Sequence, residues 1–153
     1  MEIPEYVSVA EVRRVCDELG LRDWTTMEGA EVLPEEAKTI LAAVNVQHMP
    51  IAEDDFRQGL EVELEHGLAF EDANVTNNHP ILTGKIVLAH LKESLDYYKR
   101  LDVAEIEGDL LKAAAAGNAE KLMAKYRKLV VARRVLGETE FGTIEDGARQ
   151  VEE

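Results

Sequence analysis

A chain of 153 residues, 46% hydrophobic and 31% charged, is long enough to bury a core without staples. Its single cysteine, Cys16, excludes an internal disulfide and any multi-cysteine metal site. A formal charge of −14 excludes nucleic acid and anionic membranes as partners of the whole chain; residues 1–80 carry 5 basic and 18 acidic side chains, residues 81–153 carry 12 and 13.

The N-terminus, MEIPEYVSVAE, is acidic and lacks the apolar core of a signal segment, and no apolar run reaches spanning length, so a cytoplasmic location is expected. Few aromatics beside abundant Ala, Leu, Glu and Lys favour helix. Ser8-Val9-Ala10-Glu11 reads as a capping box, and the helix it opens stops at Gly20. Trp24 follows in a loop that it anchors to the core. Pro34 starts a short helix with two glutamates in its first turn. Pro50 starts another, with Glu53, Asp54 and Asp55 at its head, running to Gly67. His48, just before it, reads as a surface or capping residue.

A polar loop, Leu68 to His79, precedes Pro80, with Asn78 or His79 as N-cap of a long helix that reaches at least Leu101 and extends towards Ala116. Gly117 ends that helix, Asn118 caps the last one, and Gly137 closes it. The expected fold is all-α: a helical bundle around an antiparallel helix pair. Residues 1–48 form a small helical N-terminal region, 49–137 the bundle core and 138–153 a flexible acidic tail. The basic stretch Lys121 to Arg134 points in several directions; it reads as a solvated helix, or as a basic surface answering the acidic half of a second chain.

At 100° per residue, Phe56, Leu60 and Leu64 define the apolar side of the helix after Pro50, and Glu63 and His66 fall towards it while Glu61 and Glu65 face water. On the helix after Pro80, Ile86, Val87 and Leu91 define the apolar face, with His90 in its middle, Thr83 one heptad earlier and Glu93 on its edge. The pairs Glu63-x-x-His66 and His90-x-x-Glu93 each point to one side of a helix and have the spacing to share an ion. Imidazole with carboxylate suits Fe, Mn or Zn, and Gly59 and Gly67 allow close approach nearby. A metal site of Glu63, His66 and His90, with Glu93 or His79 as helper, is therefore expected. If the loop returns directly, His90 lies about 12 Å along the axis from the level of His66, so a homodimer is expected to complete the ligand set across a two-fold axis. The alternative for the same residues is a buried hydrogen-bonded set with Thr83, Tyr97 or Tyr98 that fixes helix register.

The loop EDANVTNNHP places Asp72, Asn74, Thr76 and Asn78 at alternate positions, which resembles the first half of an EF-hand loop, but Asn77 and Thr83 stand where the turn glycine and the bidentate glutamate belong. A loop held by its own Asx turns is the expected reading. Cys16 is expected to pack as a small hydrophobe.

The strings VELEHG, NVTNNHPILTGKIVLAHLKE and DYYKRL resemble a family of small, uncharacterised bacterial proteins, over roughly residues 50–101. Glu63-x-x-His66 alone is similar to the ferritin-like carboxylate bundles, which implies iron and oxidative chemistry; the second pair departs from their pattern by being reversed. Two functions follow as expectations. One is a metal-binding protein, with Tyr97, a heptad after His90, as the redox-active candidate if it is an enzyme. The other is a non-enzymatic acidic module that binds a protein partner.

Overall fold

A computed structural model describes residues 7–151, with side-chain surroundings as far as 146. The acidic N-terminal segment before Val7 and the last two residues of the expected tail lie outside these. The described chain is all-α, with helices α1 (Val9–Leu19), α2 (Pro34–Val44), α3 (Glu53–Ala69), α4 (Pro80–Glu93), α5 (Tyr97–Ala115) and α6 (Ala119–Val151). No strand occurs among the described residues, and no helix there is long and apolar enough to cross a membrane. The chain divides into two compact units, residues 1–95 and 96–153.

A helix break is the main departure from the sequence reading. The single helix expected from Pro80 to beyond Leu101 is two helices. Ser94 leaves helical geometry at φ −158° and ψ 131°, and α5 begins after Asp96. Ser and Asp are residues whose short polar side chains compete with helical backbone bonds and favour ends. Asp96, buried, takes Arg100 in a bidentate pair at 3.0 and 2.7 Å.

In the first unit α2, α3 and α4 pack on one another and α1 packs on α4. The core between them holds Trp24, Ile40, Phe56, Leu60, Leu64, Val87 and Leu91, all nearly inaccessible. Most of the local signals that start and stop these helices act as expected. Ser8 accepts from Glu11 N–H at 3.2 Å, though the Glu11 carboxylate grips Arg14. Gly20 ends α1 at φ 67°. Pro34 sits at the first position of α2. Pro50 acts three residues early, since α3 starts at Glu53, and His48 is exposed at φ 53°. Close helix approach falls to Gly84 of α4: a Cβ there would lie 2.6 Å from Ile40 Cγ2. Cys16 is 1% exposed, and burial raises its thiol pKa, so it packs as a hydrophobe.

The second unit is a helical hairpin. Asn118 Oδ1 caps α6 through Lys121 N–H at 2.9 Å. Ion pairs join Asp109 to Lys125, Glu107 to Arg133 and Arg100 to Glu140; as one number rises the other falls, which makes α5 and α6 antiparallel. Its core is small: Ile106, Leu129 and Ala132 form a cluster with Val103 and Leu110 beside them, and Tyr98 and Ala113 are also buried on α5. Gly137 does not end α6. A lone glycine costs a helix only about 1 kcal/mol, and the helix is braced across it by Arg134–Glu138 at 2.8 Å. The segment 138–151, expected as a flexible tail, continues α6.

Candidate functional site

The sequence places three histidines around the α3–α4 connection, and the structure separates their roles. Thr76 N–H binds Asn74 Oδ1 (3.2 Å), an Asx turn, and Asn74 Nδ2 reaches Gly67 O (3.1 Å) and Asn78 Oδ1 (2.8 Å). The Asn77 side-chain amide holds Val7 O. The loop is thus held by its own side chains, as its composition implied. Gly67 serves this clasp rather than a helix contact, since a Cβ there would sit 2.2 Å from Asn78 Oδ1.

His79 is the N-cap of α4. Its Nδ1 accepts from Ile81 N–H at 3.2 Å and Leu82 N–H at 3.4 Å, which requires an unprotonated Nδ1. Burial lowers its pKa below the ordinary 6.5, although the Glu11 carboxylate pulls the other way. The expected helper ligand therefore has one nitrogen engaged in ending a helix.

Glu63 and His90 are brought together. Glu63 Oε1 lies 3.7 Å from His90 Nε2, with side chains 17% and 31% exposed. This is an ion-pair distance for a protonated imidazole and too long for a direct hydrogen bond between those two atoms. His66 is not in the core. It is exposed, and with Glu63, Gly67, Asn74, Thr76 and Ile86 it lines an open recess. The reason lies in the spacing of Phe56, Leu60 and Leu64: an i,i+4 stripe turns by about 40° at each step, so near its end α3 has rotated His66 away from its neighbours. Glu93 is exposed too, and His90 is at the rim rather than the middle of a buried face, which runs through Gly84, Val87, Leu88 and Leu91. Tyr97 begins α5, a separate helix from the one that carries His90. It stacks edge-on with Tyr98 at 5.2 Å. Among the described residues no group of three or more His, Cys, Asp or Glu comes together in a way that would hold a metal ion.

Two features escaped the sequence reading. The first is Glu36, 3% exposed. It accepts from the Arg22 guanidinium (2.7 and 3.0 Å), the Arg22 and Leu33 backbone N–H groups (3.1 and 3.0 Å) and the Trp24 indole (3.4 Å). Burial alone would raise its pKa; Arg22 and the two backbone donors outweigh that and hold it below the ordinary 4.5. It staples the Trp24 loop to α2. The signal was present as a glutamate at the third position of a Pro-started helix, where it caps backbone. Glu61, expected in water, likewise braces a loop, accepting from Val32 N–H at 3.2 Å and Arg57 at 2.9 Å.

The second feature is an apolar stripe on α6. Met123, Tyr126, Val130, Phe141 and Ile144 are 52, 52, 53, 63 and 70% exposed. On a 100° wheel they lie within about 40° of Val130 and roughly 120° from the Leu129–Ala132 face that meets α5. Ending the helix at Gly137 had cut this stripe in half.

A family model described as "Protein of unknown function (DUF5661)" matches residues 12–107, a wider span than the strings around Glu63 and His90 implied. No curated protein and no solved structure matches the chain, so the ferritin-like resemblance gains no support.

Proposed function

The chain belongs to the DUF5661 family, which brings no activity with it, and we propose that the protein is a helical module that binds another polypeptide through the α5–α6 hairpin. The observation that carries this reading is the stripe from Met123 to Ile144, five large apolar side chains each at least half exposed on one face of one helix. Exposed single apolar residues are ordinary, but an aligned set rimmed by charge marks an interaction surface. A two-helix hairpin covers only one side of each helix, so α6 keeps a second face for a partner. On this reading the polar groups of the first unit serve the fold: Glu36, His79 and the asparagine loop hold the bundle, and Glu63 with His90 marks helix register. Action in the cytoplasm belongs to the same proposal.

The test is site-specific photo-cross-linking in cells with benzoylphenylalanine at position 126 or 141. A protein adduct at both, absent from a probe at exposed Glu65, supports the reading. A folded, expressed protein that yields no protein adduct at either position sinks it.

A second reading, binding of Fe, Mn or Zn at Glu63, His66 and His90, is favoured by the 3.7 Å approach of Glu63 to His90 beside the recess that His66 lines. Elemental analysis of untagged protein, after anaerobic loading with ferrous iron, tests it. Near-stoichiometric metal lost in both His66→Ala and His90→Ala would establish it; no metal in the wild type would end it.

A further inference from the structure

We infer that the partner on the α6 stripe is a second copy of this chain, with the two α6 helices packed antiparallel about a two-fold axis near Arg133 and Arg134. This rests on the protein-binding reading and names its partner.

The stripe is close to palindromic. In an antiparallel pair whose axis passes between 133 and 134, Met123 comes level with Ile144 of the second copy, Tyr126 with Phe141, and Val130 with Gly137. Large thus meets large at both ends, an aromatic pair lies inside them, and a glycine admits the valine where the backbones come closest. Nothing within the chain itself crowds Gly137, whose added Cβ would meet open space. The contact spans about 32 Å of helix at 1.5 Å per residue. An isologous pair of this kind buries the same patch on both subunits and leaves no open end.

Charge selects the direction. Residues 119–135 contain six basic side chains and one acidic, and residues 136–146 contain four acidic and no basic. Antiparallel pairing sets the basic half of each α6 against the acidic half of the other, with Arg127 of one copy about 3 Å along the axis from the level of Glu138 of the second. Parallel pairing would set basic half on basic half. The two arginines at the axis already have carboxylates: Arg133 pairs with Glu107 at 2.6 Å and Arg134 with Glu138 at 2.8 Å.

The experiment combines mass and register on the full chain, with buried Cys16 left in place. Light scattering on the wild type is expected to give twice the 17.1 kDa chain, and Val130→Glu or Phe141→Glu to raise the dimer Kd by roughly 30-fold or more with helicity unchanged. Mixing Tyr126→Cys with Phe141→Cys under mild oxidation is expected to give the 126–141 interchain disulfide. Tyr126→Cys alone should not cross-link, because its two copies would lie about 22 Å apart along the axis. A dimer that forms the 126–126 disulfide instead overturns the antiparallel register. A wild type that stays monomeric at its highest soluble concentration overturns self-pairing. If photo-cross-linking at positions 126 and 141 then captures a different protein, the protein-binding reading stands without it; if neither position captures any, both fall.

Discussion

The two units differ in where their polar and apolar groups are concentrated. The first buries polar side chains and satisfies them: Glu36 takes Arg22, Trp24 and two backbone N–H groups, and His79 takes two from α4. The second leaves large apolar side chains in water along α6. The difference follows from how many neighbours a helix has. In the first unit α4 packs on α1, α2 and α3, so most of its surface meets protein and any polar group there needs a partner. Within the hairpin α5 and α6 pack on each other, and the Met123–Ile144 side of α6 is left exposed.

The comparison is broken most directly through the cores. Phe56→Ala empties a fully buried position and is expected to cost about 3–5 kcal/mol in urea unfolding. Leu129→Ala, in a smaller core that collapses more easily, should cost about 2–3 kcal/mol. Equal costs would mean the hairpin is packed as tightly as the bundle.

Glu36→Gln comes next, at about 2–4 kcal/mol at neutral pH, less than for a wholly buried pair because Arg22 is 43% exposed. Its sign with pH is fixed by the lowered pKa. The carboxylate contributes fully above the unfolded value of 4.5, and that stability is lost as pH falls through the folded value below it. Wild type and variant should therefore converge in acid; a gap that stays constant down the acid limb would contradict the assignment.

His79→Ala removes a cap and should cost about 1–2 kcal/mol, while His79→Asn keeps an acceptor and should recover most of it. A buried imidazole with a lowered pKa stabilises the fold above 6.5, and the contribution falls as pH drops below that value, because the unfolded state then binds the extra proton. Thermal melts across that range should slope in the wild type and flatten in His79→Asn.

The smallest effect sharpens the contrast. Glu63→Gln and His90→Ala, part-exposed and 3.7 Å apart, should each shift stability by no more than about 1 kcal/mol in thermal melts. A loss well beyond that in either would make the pair a core element like Glu36.

Helix ends were the most legible part of the chain. Ser8, Gly20, Pro34, Pro80, Gly117 and Asn118 all mark boundaries where the sequence puts them, because an end is settled by backbone groups within a few residues of the cap. The α3 stripe of Phe56, Leu60 and Leu64 was equally readable. Where local signals conflict they misled: Gly137 looks like a stop and is passed through, while Ser94-Leu95-Asp96 looks continuous and breaks.

The candidate site was legible only in part. Glu63 and His90 do meet, but His66 and Glu93 lie in solvent and His79 is a cap. A wheel fixes angles on one helix and leaves open which neighbour fills them.

By itself, then, the sequence determined an all-α chain, its caps and the apolar sides of its helices, since each depends on interactions over a few residues. Tertiary structure alone decided that Glu36 is buried and satisfied, that His66 is wet, and that the second apolar face of α6 is open. Burial is set by how many elements surround a side chain, and no spacing along one helix encodes that number.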